Sequence, residues 1–260
     1  MKEQSPQEVL YGLHAVSAAL DAGRRKIHCI YIMDKKKAGK SLPRPFSEIL
    51  QKARKNSIPV STLTVRDFQS LTRGAVHQGI AAHVGPYPFV PLDDLLADVS
   101  QPPNSPFFLI ADTVVDPHNL GALIRTALCA GADGLIIPKD NAASPTAAVA
   151  KVSAGAVEHL RIARVTNLAR TIHQIKETGI WVAGLDMAGE KTVYEYDLTG
   201  PVALVVGGEG KGIRRLVSQA CDFIMAIPQA GPVESLNVSV AGGIAMYEVC
   251  RQRLSKDVTM

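Results

Sequence analysis

The residues best suited to chemistry lie where an apolar strand gives way to a nearly uncharged helix, in IPQAGPVESLNVSVAGGIAMYE at 227–248. Ser235, Asn237 and Ser239 cluster at the predicted start of this helix. The first N–H groups of a helix have no partner within the helix, and Ser and Asn side chains add oxygens at the same place. The pattern indicates either an N-cap followed by a core helix or a site for a polar ligand.

A second candidate is the glycine-rich turn GGEGKG at 207–212. It matches neither common phosphate loop, because Gly212 stands where a Walker loop needs Ser or Thr, and the glycine spacing does not give the dinucleotide fingerprint. Gly207 and Gly208 allow the backbone to approach a ligand closely, and Glu209 adds a carboxylate. The turn therefore predicts ligand contact without naming the ligand.

The third candidate is DTVVDPHNLGALIRTALCAGADGLIIP at 112–138. Asn119 follows Pro117 at the start of a predicted helix, where it is expected either to cap the helix or to serve a site. Arg125 falls in the second turn among apolar neighbours, so its guanidinium needs acceptors or a cleft. His118 is a lone histidine, to which the pattern assigns no role.

These segments belong to a predicted α/β domain. From Phe107 onward, helical patterns separate short apolar runs, and the candidate strands are FFLIAD, LIIP, LRIARV, IWVAGLD, VALVVGG and FIMAIP. Continuous apolar strands between helices predict a mainly parallel sheet that is covered on both faces. Each polar turn follows a strand, so the three turns are expected to meet at one edge, where such sheets bind ligands.

The preceding region has its own α/β pattern. The predicted domains are residues 1–84, a linker at 85–106 and the larger domain at 107–260. Within the first domain, the predicted elements are a helix over 12–23, a strand over 27–33, a helix leading to a strand over 47–60 and a last strand within 74–84. A mobile basic loop is predicted at 34–45, and one helical turn is predicted in the linker at 92–99. Residues 1–84 carry a net charge of +8, against −4 for the remainder. This asymmetry indicates a phosphate-contacting module or a solvated basic face.

Composition limits the class of protein. With 260 residues and 47% hydrophobic content, the chain is long enough to bury the cores of one larger and one smaller domain. It has neither an apolar run of bilayer-spanning length nor a signal-peptide pattern at its start, which predicts a cytoplasmic location. The four cysteines are far apart and match no metal or disulfide pattern, so we expect buried thiols.

Taken together, the three segments resemble the SpoU (TrmH) branch of the SPOUT RNA methyltransferases over residues 107–253, through DPHNLGALIRTA, VVGGEGKGI and IPQAGPVESLNVSVAGGIAMYE. GLHAVSAAL and HQGIAA are similar to the small ribosomal-protein-like RNA-binding domain found in the bacterial large-subunit rRNA guanosine 2′-O-methyltransferase subgroup. The resemblance implies an α/β parallel-sheet domain with a trefoil knot, preceded by a small α/β RNA-binding domain.

The resemblance also implies an activity: methyl transfer from S-adenosylmethionine to a ribose 2′-hydroxyl of RNA, expected at a guanosine of 23S rRNA, by a homodimer without a metal. The implied catalytic residues are Arg125, Asn119, Glu209, Ser235 and Asn237. The implied cofactor-binding residues are Gly207, Gly208, Ile227, Leu236 and Ser239. Because a guanidinium is effectively always charged, we expect Arg125 to stabilise the developing alkoxide rather than to act as a base.

Three alternatives stay open at this stage. A tRNA ribose 2′-O-methyltransferase would share the chemistry and differ in substrate. A non-catalytic RNA-binding ribosome-assembly factor would use the same basic domain. An α/β oxidoreductase is disfavoured because the dinucleotide fingerprint is missing.

Overall fold

A computed structural model describes residues 8–34, 44–97, 105–210, 212–232 and 235–257. Its contacts divide the chain into two compact units. The first unit contains the described residues up to Pro88 together with Pro145–His159, and the second contains those of Phe89–Ser144 and from Leu160 onward. The contacts thus group 145–159 with the N-terminal region, although the sequence pattern assigned it to the larger domain. The domain limits drawn from the sequence remain a prediction.

The first unit is built on a mixed four-stranded sheet in the order β1-β4-β2-β3. Its elements are β1 (Glu8–Tyr11), α1 (Leu13–Ala22), β2 (Ile27–Met33), α2 (Arg44–Lys55), β3 (Val60–Leu63), α3 (Val65–Thr72), β4 (Ile80–Val84), α6 (Ala147–Val152) and α7 (Ala156–His159). Leu10, Ala82 and Ile30 lie opposite one another on neighbouring strands and are fully buried. The predicted helix at 12–23 and strand at 27–33 are confirmed. The prediction of a mobile basic loop at 34–45 lies mainly outside the described residues.

A buried charge cluster lies within this unit. The Arg25 guanidinium is 2.8 Å from a Glu8 carboxylate oxygen and 2.9 Å from one of Glu158. The side chains of Arg25 and Glu158 are 0% and 1% exposed, whereas that of Glu8 is 27% exposed. Burial raises the pKa of the Glu158 carboxyl above its usual value of 4.5, and the positive charge of Arg25 opposes this rise. The cluster joins α7 to the segment between α1 and β2.

The second unit is built on a seven-stranded parallel sheet in the order β7-β6-β5-β10-β8-β11-β9. Its strands are β5 (Phe107–Asp112), β6 (Gly134–Pro138), β7 (Ile162–Val165), β8 (Trp181–Leu185), β9 (Lys191–Thr192), β10 (Val202–Gly207) and β11 (Phe223–Ala226). Its helices are α4 (Leu92–Ala97), α5 (Pro117–Cys129), α8 (Leu168–Glu177), α9 (Arg215–Ala220) and α10 (Val238–Asp257). All six apolar runs predicted as strands are confirmed, and the pairing is parallel as expected.

Helices cover both faces of this sheet, as the apolar strands predicted. On one face, residues of α4, α8 and α9 form one buried cluster with strand residues such as Ile110 and Val205. On the other face, α10 packs against β10 and α5, and Gly242 of α10 lies so close to them that an added Cβ would be 3.4 Å from Val206 and 2.5 Å from Leu123. The packing aligns the carboxyl ends of β5, β10, β8 and β11 along one edge.

Two other sequence predictions are corrected. The cysteines are not fully buried, since Cys129 on the outer side of α5 is exposed and the other three are partly exposed. The last helix, predicted to be nearly uncharged, contains the buried carboxylate of Glu248, which pairs with Arg251 over 2.7 Å. Among the described residues, no helix is long and apolar enough to cross a membrane.

Candidate active site

The three polar turns singled out in the sequence meet at the carboxyl edge of the parallel sheet. There the second unit contains a cavity of about 600 Å³. Its wall is made by the residues that follow β8, β10 and β11 and by the start of α10, namely Leu185, Asp186, Met187, Val206, Gly207, Gly208, Glu209, Gly210, Gly212, Met225, Ile227, Gln229, Ser235, Leu236, Asn237, Val238 and Ala241. A cavity of this size, lined by apolar side chains and by several polar ones, suits a cofactor-sized ligand.

One hydrogen-bond network joins all three turns. The side-chain amide of Asn119 donates to Oε1 of Glu209. The side-chain amide of Asn237 donates to the same oxygen over 3.2 Å and to Oδ1 of Asn119 over 3.0 Å. An ionised carboxylate only accepts hydrogen bonds, so Glu209 fixes both amides with their N–H groups toward it. The network therefore orients three side chains from distant parts of the sequence.

Asn119 is not the N-cap that its position suggested. Asp116 caps α5, accepting a hydrogen bond from the His118 N–H over 3.0 Å, and Pro117 occupies the first turn. The helix therefore begins earlier than predicted, and Asn119 lies inside its first turn at 7% exposure. Proline at the first helical position is the sequence signal that identifies Asp116 as the cap.

Asn237 is both a helix cap and a member of the network. Its Oδ1 accepts from the Ser239 N–H over 2.9 Å and from the Ser239 hydroxyl over 2.6 Å. Its amide nitrogen remains directed at Asn119 and Glu209. The sequence allowed either a helix cap or a ligand site here, and the Asn237 side chain belongs to both. Ser239 supports the cap, and Ser235 and Leu236 line the cavity.

The glycines of the second turn are required by close backbone packing. A Cβ added at Gly207 would overlap the backbone of Gly212, and one added at Gly208 would overlap the Thr113 carbonyl oxygen. The Gly212 N–H donates to the Gly208 carbonyl over 3.1 Å, which closes the turn. The turn after β10 therefore lies directly against the turn after β5, without side chains between them.

An ion pair that the sequence analysis missed holds the same two turns together. Asp112, at the end of β5, is fully buried. One of its oxygens accepts from Nε of Arg214 over 2.8 Å and lies 2.7 Å from the Arg214 Nη2, and the other accepts from the Arg214 backbone N–H over 2.9 Å. Acidic residues at strand ends are common, so the sequence signal for this contact is weak.

Arg125 lies apart from this network. It is exposed on α5, and the acceptors or cleft expected for its guanidinium are not seen among the described residues. Six residues along a helix correspond to a rise of about 9 Å and a rotation of about 120°. Arg125 and Asn119 consequently point in different directions from the same helix.

Asp186, Met187 and Gln229 line the cavity and were also missed by the sequence analysis. Asp186 directly follows the apolar strand β8, and the other turns of the site also begin directly after an apolar strand. Within the described residues, no group of three or more His, Cys, Asp and Glu side chains is arranged to hold a metal ion.

Comparison with known proteins identifies the family. Residues 106–247 match the model of the SpoU rRNA methylase family, and residues 9–90 match that of RNA 2′-O ribose methyltransferase substrate-binding domains. The chain belongs to the SpoU rRNA methylase family. The resemblance inferred from the three motifs is thereby confirmed.

Relatives and solved structures of this family span nearly the whole chain. The chain is 42% identical to a 23S rRNA (guanosine-2′-O-)-methyltransferase, RlmB, of Pseudomonas putida over 97% of this chain and 99% of that one. It is also 42% identical to a putative TrmH family tRNA/rRNA methyltransferase, YacO, of Bacillus subtilis over 95% and 96% of the two chains. Among solved structures, the SpoU methyltransferase AviRb of Streptomyces viridochromogenes in complex with the cofactor AdoMet matches with a TM-score of 0.78 and 25% identity, over 96% and 91% of the two chains. The predicted SpoU α/β fold is confirmed.

Proposed function

We propose that this SpoU protein transfers a methyl group from S-adenosylmethionine to the ribose 2′-hydroxyl of a guanosine in 23S rRNA. The observation that carries the proposal is the network of Asn119, Glu209 and Asn237, which assembles the three family motifs at the edge of a cofactor-sized cavity. The named activity of the Pseudomonas putida relative, which matches over almost its entire length, supports the choice of substrate.

The cavity fits S-adenosylmethionine. Apolar side chains such as Ile227 and Leu236 offer surfaces for the adenine ring, and the backbone of Gly207 and Gly208 lines the cavity. The carboxylate of Glu209 provides a negative potential suited to a sulfonium cation. We assign cofactor binding to Gly207, Gly208, Ile227, Leu236 and, through the cap of α10, Ser239. When bound, S-adenosylmethionine supplies an electrophilic methyl group on its sulfonium sulfur.

The chain's own residues must make a ribose hydroxyl reactive. A hydroxyl is a weak nucleophile at neutral pH, so the site has to orient it and stabilise the negative charge that develops on its oxygen. We assign that stabilisation to the guanidinium of Arg125, and the orientation of the catalytic loops to Asn119, Glu209 and Asn237. Ser235, exposed at the cavity wall, is assigned to contact the cofactor or the RNA. The proton leaves to water or to an RNA phosphate, because a charged guanidinium has no site to accept it.

The position of Arg125 leads us to propose a homodimer whose second copy completes the site. Arg125 is exposed on α5, and α5 packs on α10. The outer face of α10 exposes Val240, Tyr247 and Leu254 at intervals of seven residues, with exposed fractions of 49%, 52% and 62%. Such a row forms one apolar stripe along a helix, which favours pairing with a second copy.

Other family features are part of the same proposal. We propose that the C-terminal segment forms the trefoil knot of the SPOUT fold, that the basic domain at 1–84 contacts RNA phosphates, that 85–106 is the linker and 107–260 the catalytic domain, and that the protein acts in the cytoplasm without a metal. The match of 9–90 to substrate-binding domains and the net charge of +8 in residues 1–84 support RNA contact by the N-terminal region.

The test uses the chemistry of RNA cleavage. A 2′-O-methylated ribose lacks the hydroxyl that attacks the adjacent phosphodiester in alkali, so the methylated position leaves a gap in a hydrolysis ladder. We expect one gap, at a guanosine of 23S rRNA, that requires both S-adenosylmethionine and the protein. A gap found only in tRNA would favour the tRNA alternative, and methyl incorporation with a complete ladder would place the methyl on a base and refute the proposal.

A further inference from the structure

Asp186 presents an unused hydrogen-bond acceptor in the cavity wall. It is the first residue after β8 and is partly exposed. Its Oδ1 accepts a hydrogen bond from the Ala188 N–H over 3.0 Å. Its Oδ2 receives no hydrogen bond from any residue that the structure describes. A Cβ added at Gly212 would lie 3.1 Å from this oxygen, so the glycine leaves the space beside it open.

The strand order places Asp186 on the far side of the network. Across the carboxyl edge the strands run β5, β10, β8 and β11, so Asp186 after β8 lies one strand beyond Glu209 after β10 and two strands beyond the turn that leads to Asn119. Neighbouring strands are about 4.8 Å apart. A ligand whose reacting group lies at the network and which extends along this edge therefore brings the part next to its reacting group toward Asp186.

In S-adenosylmethionine, the part next to the sulfonium on the nucleoside side is a ribose with two neighbouring hydroxyls. A carboxylate accepts hydrogen bonds from hydroxyls, and acidic residues beyond the strands of parallel sheets recognise ribose hydroxyls in other nucleotide-binding folds. We propose that Asp186 accepts a hydrogen bond from a ribose hydroxyl of the cofactor. This inference rests on the proposed function and adds a binding residue to it.

The variant Asp186→Asn tests the role of Oδ2 alone. The asparagine Oδ1 retains the hydrogen bond from Ala188, while a donor replaces the acceptor at Oδ2. Glu190→Gln is the matched control, because it removes the same charge from an exposed side chain of the same loop. Isothermal titration calorimetry measures binding of S-adenosylmethionine, of S-adenosylhomocysteine, and of an S-adenosylhomocysteine analogue lacking both ribose hydroxyls.

We expect Asp186→Asn to weaken both natural ligands by about tenfold, since a hydrogen bond to a charged group contributes on that scale. Glu190→Gln should change the affinities by less than about twofold. The wild-type protein should bind the analogue lacking hydroxyls about tenfold more weakly than S-adenosylhomocysteine, and Asp186→Asn should abolish that difference. The wild-type comparison needs no variant and so does not depend on how the variant folds.

Three results would overturn the assignment. The first is unchanged binding of both natural ligands by Asp186→Asn, and the second is equal wild-type affinity for ligands with and without the hydroxyls. The third is weakening of S-adenosylmethionine alone, which would show that the carboxylate acts on the sulfonium charge. If the wild-type protein binds neither natural ligand, the proposed function itself fails, and this result differs from all three.

Discussion

Replacing Arg25 by Met tests how the segment at 145–159 is held in the first unit. The change removes the cation beside Glu158, whose carboxylate is 1% exposed, and a methionine still fills the space against the Tyr87 ring, 4.9 Å from the guanidinium. Removing one partner of a buried ion pair costs about 3–5 kcal/mol of unfolding free energy, because the remaining charge stays buried and loses its ion-pair partner. We expect a loss of about that size at pH 8. Glu8 adds little to it, since its carboxylate is partly exposed and its second oxygen still accepts a hydrogen bond from the Ala147 N–H over 2.6 Å.

The loss should be smaller at pH 5. The pKa of Glu158 is raised above 4.5 in the folded protein, so this carboxyl favours folding below the unfolded pKa, and that contribution is lost as the pH rises through the folded pKa. Arg25 and, more weakly, Arg24 lower the pKa of Glu158, so removing Arg25 raises it further. Each additional pKa unit adds about 1.4 kcal/mol to the difference between the two pH values.

Urea unfolding at pH 5 and pH 8 provides the measurement. Far-UV circular dichroism follows both units, whereas the fluorescence of Trp181, the one tryptophan of the chain, follows the second unit. Glu158→Gln supplies the control background, because adding Arg25→Met to it should produce a loss without this pH dependence. A loss below about 1 kcal/mol at pH 8, or an equal loss at both pH values, would refute the reasoning.

Three further predictions concern the site and the domains. Arg125→Ala should slow methyl transfer by on the order of a hundredfold while leaving cofactor affinity nearly intact, whereas Arg170→Ala, which changes another exposed arginine, should alter neither the rate nor the affinity; equal rates for Arg125→Ala and the wild type in a single-turnover assay would remove Arg125 from the mechanism. Gly208→Ala should weaken cofactor binding by more than about tenfold in calorimetry and lower the free energy of unfolding by about 1–3 kcal/mol, because the added methyl group overlaps the Thr113 carbonyl. A variant that binds the cofactor with wild-type affinity would contradict this packing. A fragment of residues 89–260 should unfold at lower urea than the second unit of the full chain when followed by Trp181 fluorescence, since its 145–159 segment has lost its packing partners; an unchanged midpoint would show that this segment does not need them.

The parallel sheet was predictable because its strands are buried on both faces. Burial of this kind produces continuous apolar runs, and six of the seven strands of the second unit carry one. The runs do not encode the order β7-β6-β5-β10-β8-β11-β9, because strand neighbours are chosen by packing between segments far apart in sequence. The strands β1 and β9 escaped detection, since neither EVLY nor KT forms a continuous apolar run.

The site was predictable in part, for a related reason. The polar residues Asn119, Glu209 and Asn237 lie in turns that follow apolar strands, and parallel strands bring such turns to one edge. The contacts among them depend on rotamers and on the starting residue of α5, which local pattern gives only to within a few residues. Arg214 follows the turn that carries Glu209, and Asp186 lies in the turn after β8, but the pairing of one and the exposure of the other depend on which turn lies next to which, and only the folded chain shows this.

The segment at 145–159 shows why a family boundary and a structural boundary can differ. It lies inside the region that matches the methylase family, as the crossover that connects the neighbouring parallel strands β6 and β7. Its contacts nevertheless group it with the N-terminal unit, where Glu158 meets Arg25 in a buried ion pair. A parallel crossover only has to return the chain to the sheet in the right-handed sense, so its outer part is free to pack elsewhere. The chain therefore passes between the units at three places, near residues 88, 144 and 159, rather than through a single linker. Removing the N-terminal region consequently exposes apolar and charged surface of the crossover, and the loss of activity in such a fragment cannot be assigned to loss of RNA contact alone.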